Sequence, residues 1–305
     1  MEATIVIPTY NERKNISKLI PSIILMLNRH DITSEIIVID DNSPDGTGLL
    51  LDRLKRRFDC LKVVHRKEKL GVGSARRLGF SMASKKVIVT MEGDNTHNPK
   101  YIPQLIKEIE GGADLVIASR YLKDSKIIDW SFKRRVISNT ANFITRFVTG
   151  VKITDVTNGY RAFTKEMFSK LLIESEKYPF NMEFTCEAVS RGFKVTEIPI
   201  EFKQRKDGSS KLNVLDEFFF FLMVVFRFSY TYSPIKFFGS ISLLFITVSF
   251  VLIGYLIRAR ILTGTILNRI PLMFITLTLV LSAIQMFCFG LMVNVMSKFR
   301  REMLR

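Results

Sequence analysis

An α/β domain on a mostly parallel sheet, followed by a two-helix transmembrane hairpin, is the fold the sequence predicts. Three observations predict it. Short β-branched runs alternate with helical stretches from Ala3 to Arg120, and a polar, acidic or turn-forming segment follows each run. Two long stretches near the end, Phe237 to Ile257 and Ile270 to Ser297, carry no charge at all.

The strands expected are Thr4 to Ile7, Glu35 to Ile39, Leu61 to His65, Lys86 to Met91 and Asp114 to Ala118. Their spacing leaves room for a helix between each pair, the βαβ rhythm of a parallel sheet covered on both faces. Ligands on such sheets sit at the carboxyl ends of the strands. The segments to read are therefore Pro8-Thr9-Tyr10-Asn11-Glu12, Asp40 to Gly46, Glu92-Gly93-Asp94 and Ser119-Arg120-Tyr121.

Beyond Arg120 the pattern turns helical. Val136, Ile137, Phe143, Ile144, Phe147 and Val148 recur on one helix face with Lys133, Arg134, Arg135 and Arg146 nearby, which predicts an amphipathic helix over about 133–149. Such a helix packs on its own domain or lies in a membrane interface, and both readings stand. The globular domain is drawn over 1–211 and an interfacial helix over 212–232, since the uncharged run Phe218 to Phe226 is too short to span and is flanked by Asp216, Glu217 and Arg227.

The remainder, 233–305, is the hairpin, with spans at about 237–257 and 270–297. About 20 residues of helix rise about 30 Å, the thickness of the hydrocarbon core, so each run is long enough to cross. A core helix of a soluble protein would also be apolar, but two such runs back to back argue against it. No basic leader or cleavage site precedes the first strand, which places the globular domain in the cytoplasm. An even number of spans returns the basic tail Lys298-Phe299-Arg300-Arg301 to the same side, giving a multi-pass protein of the cell membrane. Arg258, Arg260 and Arg269 in the connecting loop mean that charge bias alone does not orient the hairpin.

The net charge of +16 points to anionic lipid and phosphate-bearing substrates; nucleic acid is not expected, because the basic clusters lack interleaved stacking aromatics. Cys60, Cys186 and Cys288 stand far apart and no Cys/His spacing suits zinc, so neither a structural disulfide nor a zinc site is expected.

Glu92-Gly93-Asp94 sets two carboxylates one residue apart on a glycine-permitted turn, an arrangement that holds a divalent cation against a diphosphate. A surface acidic turn has the same composition, and position at a strand end is what favours function. Asp40-Asp41 precedes a Pro-Asp-Gly turn; the turn explains Pro44 to Gly46, while one of the two acids is suited to accept an N–H from a nucleobase. Gly71-Val72-Gly73 opens like a dinucleotide fingerprint, but Arg76 takes the third glycine's place and the run follows the third strand, which disfavours a nicotinamide or flavin enzyme. Arg205 to Lys211 reads as a solvated basic linker or as a loop that closes on phosphates.

Taken together, Val6 to Glu12, Val38 to Thr47, Glu92-Gly93-Asp94, Ser119-Arg120-Tyr121, Asp155 with Asn158 to Phe163, and Arg205 to Leu212 form a recognisable series. In it the chain resembles the polyprenyl-phosphate glycosyltransferases of the dolichyl-phosphate mannose synthase type, inverting enzymes of family 2 with the Rossmann-like GT-A fold. The resemblance implies that Pro8, Tyr10, Glu12, Asp41, Gly93 and Arg120 line the nucleotide-sugar pocket with Glu92 and Asp94, and that these two acids hold Mg2+ or Mn2+. Thr96 stands where some relatives have a metal-contacting glutamine, and Glu92 where the usual first acid is aspartate, so that Glu92→Asp is expected to be tolerated. Arg120, Arg134, Arg205 and Lys211 match positions that contact donor or acceptor phosphate. Asp94, Asp155 and Arg205 are the catalytic candidates. Gly159 and Glu183 read equally well as a backbone turn and a buried paired acid.

The implied reaction moves one hexose, mannose first and glucose next, from GDP-mannose or UDP-glucose to a polyprenyl or dolichyl phosphate, with inversion. Two rivals are a processive membrane polysaccharide synthase and a membrane-bound nucleotide-sugar-binding protein without catalysis. Against the first, the sole tryptophan, Trp130, is not in a Gln-x-x-Arg-Trp context; against the second, every expected acid and cation is present. Homo-oligomerisation is left open.

Overall fold

The computed structural model describes residues 1–128, 132–173, 175–176, 180–203, 226, 229, 233–265 and 269–303. The predicted Arg205, Lys211 and nearly all of the 212–232 helix lie outside them, as does Trp130. The chain divides into two compact units, Met1–Arg146 with Val151–Glu217, and Phe147–Gly150 with Phe218–Arg305.

In the first unit, β1 (Glu2–Thr9), β2 (Thr33–Asp40), β3 (Leu61–His65), β4 (Val87–Thr90), β5 (Leu115–Ser119), β7 (Arg161–Thr164) and β8 (Val195–Pro199) form one sheet in the order β3-β2-β1-β4-β7-β5-β8. The pairs β1–β2, β1–β4, β2–β3 and β5–β8 are parallel, as the alternating pattern predicts; β7 runs antiparallel between β4 and β5. Residues Ala3 to Pro8 are buried on both faces, the mark of a central parallel strand. A small parallel pair, β6 (Lys126–Ile128) with β9 (Glu201–Lys203), stands apart.

Helices cover the sheet because their apolar residues recur at three- and four-residue steps. In α1 (Arg13–Arg29) these are Ile16, Leu19, Ile20, Ile23 and Leu27, and in α4 (Ile102–Glu110) Ile102, Leu105, Ile106 and Ile109, all in one core with Ile5, Ile7, Val89 and Val116. Between them in the chain come α2 (Thr47–Lys55) and α3 (Val72–Met82). Phe80 of α3 packs edge-on against Phe163 of β7 and Phe168 of the short α6 (Lys165–Ser169), with Phe184 of α7 (Phe180–Ser190) closing the aromatic cluster.

The predicted amphipathic helix is α5 (Phe132–Thr149). Among its described side chains, Ser138 accepts from the Tyr121 hydroxyl at 2.6 Å, buried Asn142 accepts the Val156 N–H at 3.0 Å, and Thr145 is buried against Met182. Val136 and Phe143, of the expected apolar face, are exposed.

The second unit holds two long helices, α8 (Pro234–Thr263) and α9 (Ile270–Met303), packed along each other, with the Ser242 hydroxyl donating to the Ala283 carbonyl at 2.8 Å. Both are long and apolar enough to cross a membrane, with mean hydropathy 2.4 and 2.2, and most of their apolar side chains, Leu243, Phe250, Phe274 and Leu277 among them, face outward. Outward apolar side chains on such helices are suited to lipid.

Candidate active site

The sheet sets the site by where its ladders stop. β1 pairs with β2 as far as Thr9↔Asp40 but with β4 only to Val6↔Thr90, so the missing N–H of Pro8 falls beyond the β4 ladder and costs no sheet hydrogen bond. The chain then turns through Asn11, whose φ of 59° is left-handed, and enters α1. Three successive backbone N–H groups at that entrance are taken by side chains of the turn after β2: Asn11 N–H by Ser43 Oγ at 2.9 Å, Glu12 N–H by Thr47 Oγ1 at 3.1 Å, and Arg13 N–H by Asp45 Oδ2 at 3.1 Å. The Asn-Ser-Pro-Asp-Gly-Thr motif is thus a capping device for a distant helix, satisfying donors a helix start leaves unpaired. It locks together the loops that carry Tyr10 and Asp41.

Tyr10 is half-buried, with the Lys69 ammonium 4.0 Å from its ring centroid, and Glu12 accepts from Asn15 Nδ2 at 2.6 Å. Asp41 is buried and bound by Arg66, which also donates to the Gly71 carbonyl at 3.1 Å. One oxygen of an acid expected to line the nucleotide pocket is therefore already engaged within the protein.

The acidic turn follows β4. Glu92 N–H donates to His97 Nδ1 at 3.0 Å, which fixes the imidazole tautomer; burial lowers the His97 pKa and keeps the ring neutral. Asp94 Oδ1 accepts both the N–H and the hydroxyl of Thr96, at 3.1 and 2.6 Å. Thr96 therefore enters the site by fixing Asp94. Glu92, a third exposed, pairs with the buried guanidinium of Arg76. Gly93 lies against the end of β1, where an added Cβ would sit 3.3 Å from Thr9 Oγ1.

Arg120, directly after β5, donates from Nε to Asp155 Oδ2 at 2.7 Å, from Nη2 to Oδ1 at 2.8 Å, and from its backbone N–H to Oδ2 at 3.1 Å. Asp155 is wholly buried and also accepts from Asn158 N–H at 3.2 Å. Burial alone would push its carboxyl up; the Arg120 charge and these hydrogen bonds outweigh that and hold it below the usual carboxylate value. Glu183 is buried and accepts the Ser175 N–H at 2.8 Å.

Pro8, Tyr10, Glu12, Asp41, Glu92, Gly93, Asp94, Arg120 and Asp155 all stand at the carboxyl ends of β1, β2, β4 and β5, or just before antiparallel β7, at one edge of one sheet. Arg134 lies on α5. In the sequence Arg66 does not stand out, Arg76 is noted only as standing in a glycine's place, and Ser43 and Asp45 read as turn residues; their contacts with Asp41, Glu92 and the start of α1 are made in the fold.

Among the described residues no three His, Cys, Asp or Glu side chains come together as a cation cage. What Glu92 and Asp94 offer is a pair of hard oxygen donors at a strand end, which fits a cation that shares its coordination with substrate phosphate.

Residues 4–172, the greater part of the chain, match glycosyl transferase family 2. The chain is 39% identical over 216 residues to a polyprenol monophosphomannose synthase of Mycolicibacterium smegmatis, a match covering 68% of this chain and 80% of that protein. It is 35% identical over 222 residues to an undecaprenyl-phosphate mannosyltransferase of Micrococcus luteus, covering 70% and 88%. Among solved structures, glucosyl-3-phosphoglycerate synthase of Mycobacterium tuberculosis, in complex with Mn2+, UDP and phosphoglyceric acid, superposes with a TM-score of 0.55 at 19% identity over 74% of this chain and 76% of that one. That likeness establishes the fold, a mostly parallel GT-A sheet. With the acidic turn and the Arg120–Asp155 pair at its carboxyl edge, and matches running through every one of these loops, the chain belongs to glycosyl transferase family 2.

Proposed function

We propose that the protein transfers a single hexose, mannose, from GDP-mannose to a polyprenyl phosphate, with inversion at the anomeric carbon. The observation that carries this reading is the 39% identity to a polyprenol monophosphomannose synthase over most of both chains. The two apolar helices support a lipid-borne acceptor.

In the reaction the bond from the anomeric carbon to the diphosphate oxygen breaks and one to an acceptor phosphate oxygen forms. A phosphate monoester is mostly dianionic at neutral pH, its second pKa being about 6, so no side chain need take a proton. A divalent cation bound at the site, Mg2+ or Mn2+, supplies neutralisation of the departing diphosphate, and Glu92 and Asp94 would hold it. Tyr10, Glu12 and Asp41 line the nucleotide end. Arg120 meets phosphate, and Asp155, with both oxygens engaged by Arg120, serves to hold that guanidinium rather than to act as a base. Arg134, Arg205 and Lys211 draw the acceptor head group in from the bilayer, and the catalytic domain faces the cytoplasm.

The test is to incubate membranes holding the protein with a panel of labelled nucleotide sugars. Label from GDP-mannose alone should enter organic-extractable lipid. Label retained only in water-soluble product would refute the assignment.

A further inference from the structure

Behind the acidic turn stands a guanidinium held at both ends. Arg76, on α3, is 1% exposed; its Nη1 donates to Asn181 Oδ1 at 2.8 Å, and its Nη2 pairs with Glu92 Oε1. Asn181, on α7, is itself tied by Nδ2 to the Thr157 carbonyl at 3.1 Å. The pair is not an economical way to gain stability. Among the described residues Arg76 Nε is buried without a partner, and Arg161, a second buried arginine, lies close enough that its pKa falls to about 9, through burial first and then the charge of Arg76. Ion pairs with a buried member are often matched or bettered in stability by apolar packing.

What the arrangement does is orient a carboxylate. Asp94 is fixed locally by Thr96, two residues away, whereas Glu92 is one methylene longer and has more rotamers to lose. Space is also kept for the clamp: a Cβ at Gly159 would lie 2.3 Å from Arg76 Nη2 and 2.6 Å from Glu92 Oε1. Any side chain there would force the pair apart.

We propose that Arg76 is a positioning residue for Glu92, fixing the carboxylate that joins Asp94 in holding the cation of the nucleotide sugar, an assignment that rests on the metal-bound diphosphate proposed above. Arginine suits the task because its planar fork bonds Asn181 and Glu92 at once, which a lysine ammonium does only loosely. It also alters the expectation for Glu92→Asp. An aspartate is too short to keep the contact, so the change strands Arg76 instead of being tolerated.

The experiment titrates Mn2+ into the purified full chain by electron paramagnetic resonance, with GDP present and with UDP in parallel, beside a circular dichroism check of folding. Arg76→Gln should weaken Mn2+ binding by about tenfold, the loss usual when a group orienting a metal ligand is removed, with Arg76→Lys between it and wild type. Glu92→Asp, which breaks the contact from its more exposed side, should weaken binding similarly, and adding Arg76→Gln to it should change little further. Affinity within about twofold of wild type for folded Arg76→Gln, or an equal further loss in the Glu92→Asp background, would overturn the assignment, since independent sites add and coupled ones do not. Should Arg76→Gln fail to fold, Glu92→Asp decides alone, near-wild-type affinity counting against the clamp. Absence of Mn2+ binding by the wild type with either diphosphate would instead remove the metal reading, and the clamp with it.

Discussion

Arg120 and Asp155 meet in a two-point ion pair whose carboxylate is wholly buried, with Nε 2.7 Å from Oδ2 and Nη2 2.8 Å from Oδ1. The contact joins the end of β5 to the segment before β7, so that the guanidinium proposed to meet phosphate is set by an acid in a separate segment of the chain. The same logic recurs at Arg66 with Asp41 and Arg76 with Glu92. In each, at least one member is nearly inaccessible, and the pair stands at the carboxyl edge of the sheet.

Replacing Asp155 by asparagine should destabilise the domain by about 3–5 kcal/mol, the usual cost of stranding one member of a buried pair. Its acid dependence fixes the sign. The folded pKa lies below the ordinary carboxylate value of about 3.9, so the stabilisation is present above that value and is lost as pH falls through it toward the folded pKa. Melting curves of wild type and Asp155→Asn should therefore converge as pH drops below about 4. A constant separation down to the lowest pH would count against the ion pair as the stabilising contact.

Gly159→Ala should cost about 1–3 kcal/mol, the range for overpacking a rigid interior, because its Cβ meets two polar side chains well inside contact distance. Gly93→Ala, whose nearest neighbours stand at 3.3 Å, should cost less. Denaturant midpoints of the two variants rank them. The reverse order would mean that the Arg76–Glu92 contact yields easily.

Asp94→Ala should abolish transfer, and chelator should do the same to wild type, because a diphosphate leaves poorly without charge neutralisation. Added Mn2+ should restore the chelated wild type but not the variant. Full activity in chelator would end the metal role.

Much of this site is legible along the chain and part of it is not. β1, β2, β3 and β5 show in the sequence because each is a β-branched run bounded by turn residues, and the site loops show because they follow those runs. β7 does not: Arg161-Ala162-Phe163-Thr164 has no alternation, and its antiparallel insertion between β4 and β5 is decided by tertiary packing. The arginine clamps are equally hidden, since Arg76 meets Asn181 across more than a hundred residues and no local period records that. For α5 the apolar spacing is legible, but the polar contacts of Asn142 with Val156 and of Thr145 with Met182 are not, since nothing local in the sequence records those partners.

A hairpin formed by α8 and α9 predicts that the globular domain and the tail after Lys298 share the cytoplasmic side. Protease applied to sealed right-side-out vesicles should leave both intact, and opening the vesicles should expose them. Cleavage of the tail from outside would exclude a two-span arrangement.

The acceptor prediction follows from the charge of a lipid phosphate. Its chain stays in the bilayer, so only the head group can rise, and cations near the membrane must draw it toward the anomeric carbon. Arg205, in the basic run before the first apolar helix, is the cation proposed for that task. Arg205→Ala should lower transfer on the order of a hundredfold at limiting acceptor, as loss of one charge-assisted contact at a reacting centre does, while the protein stays folded and membrane-bound. Arg205→Lys should recover only part, because lysine keeps the charge and loses the planar fork that matches two phosphate oxygens. Uncharged polyprenol should be inert, since without the phosphate there is neither nucleophile nor anchor. Sugar appearing on free polyprenol in thin-layer analysis, or an Arg205→Ala variant as fast as wild type at limiting acceptor, would require a different acceptor.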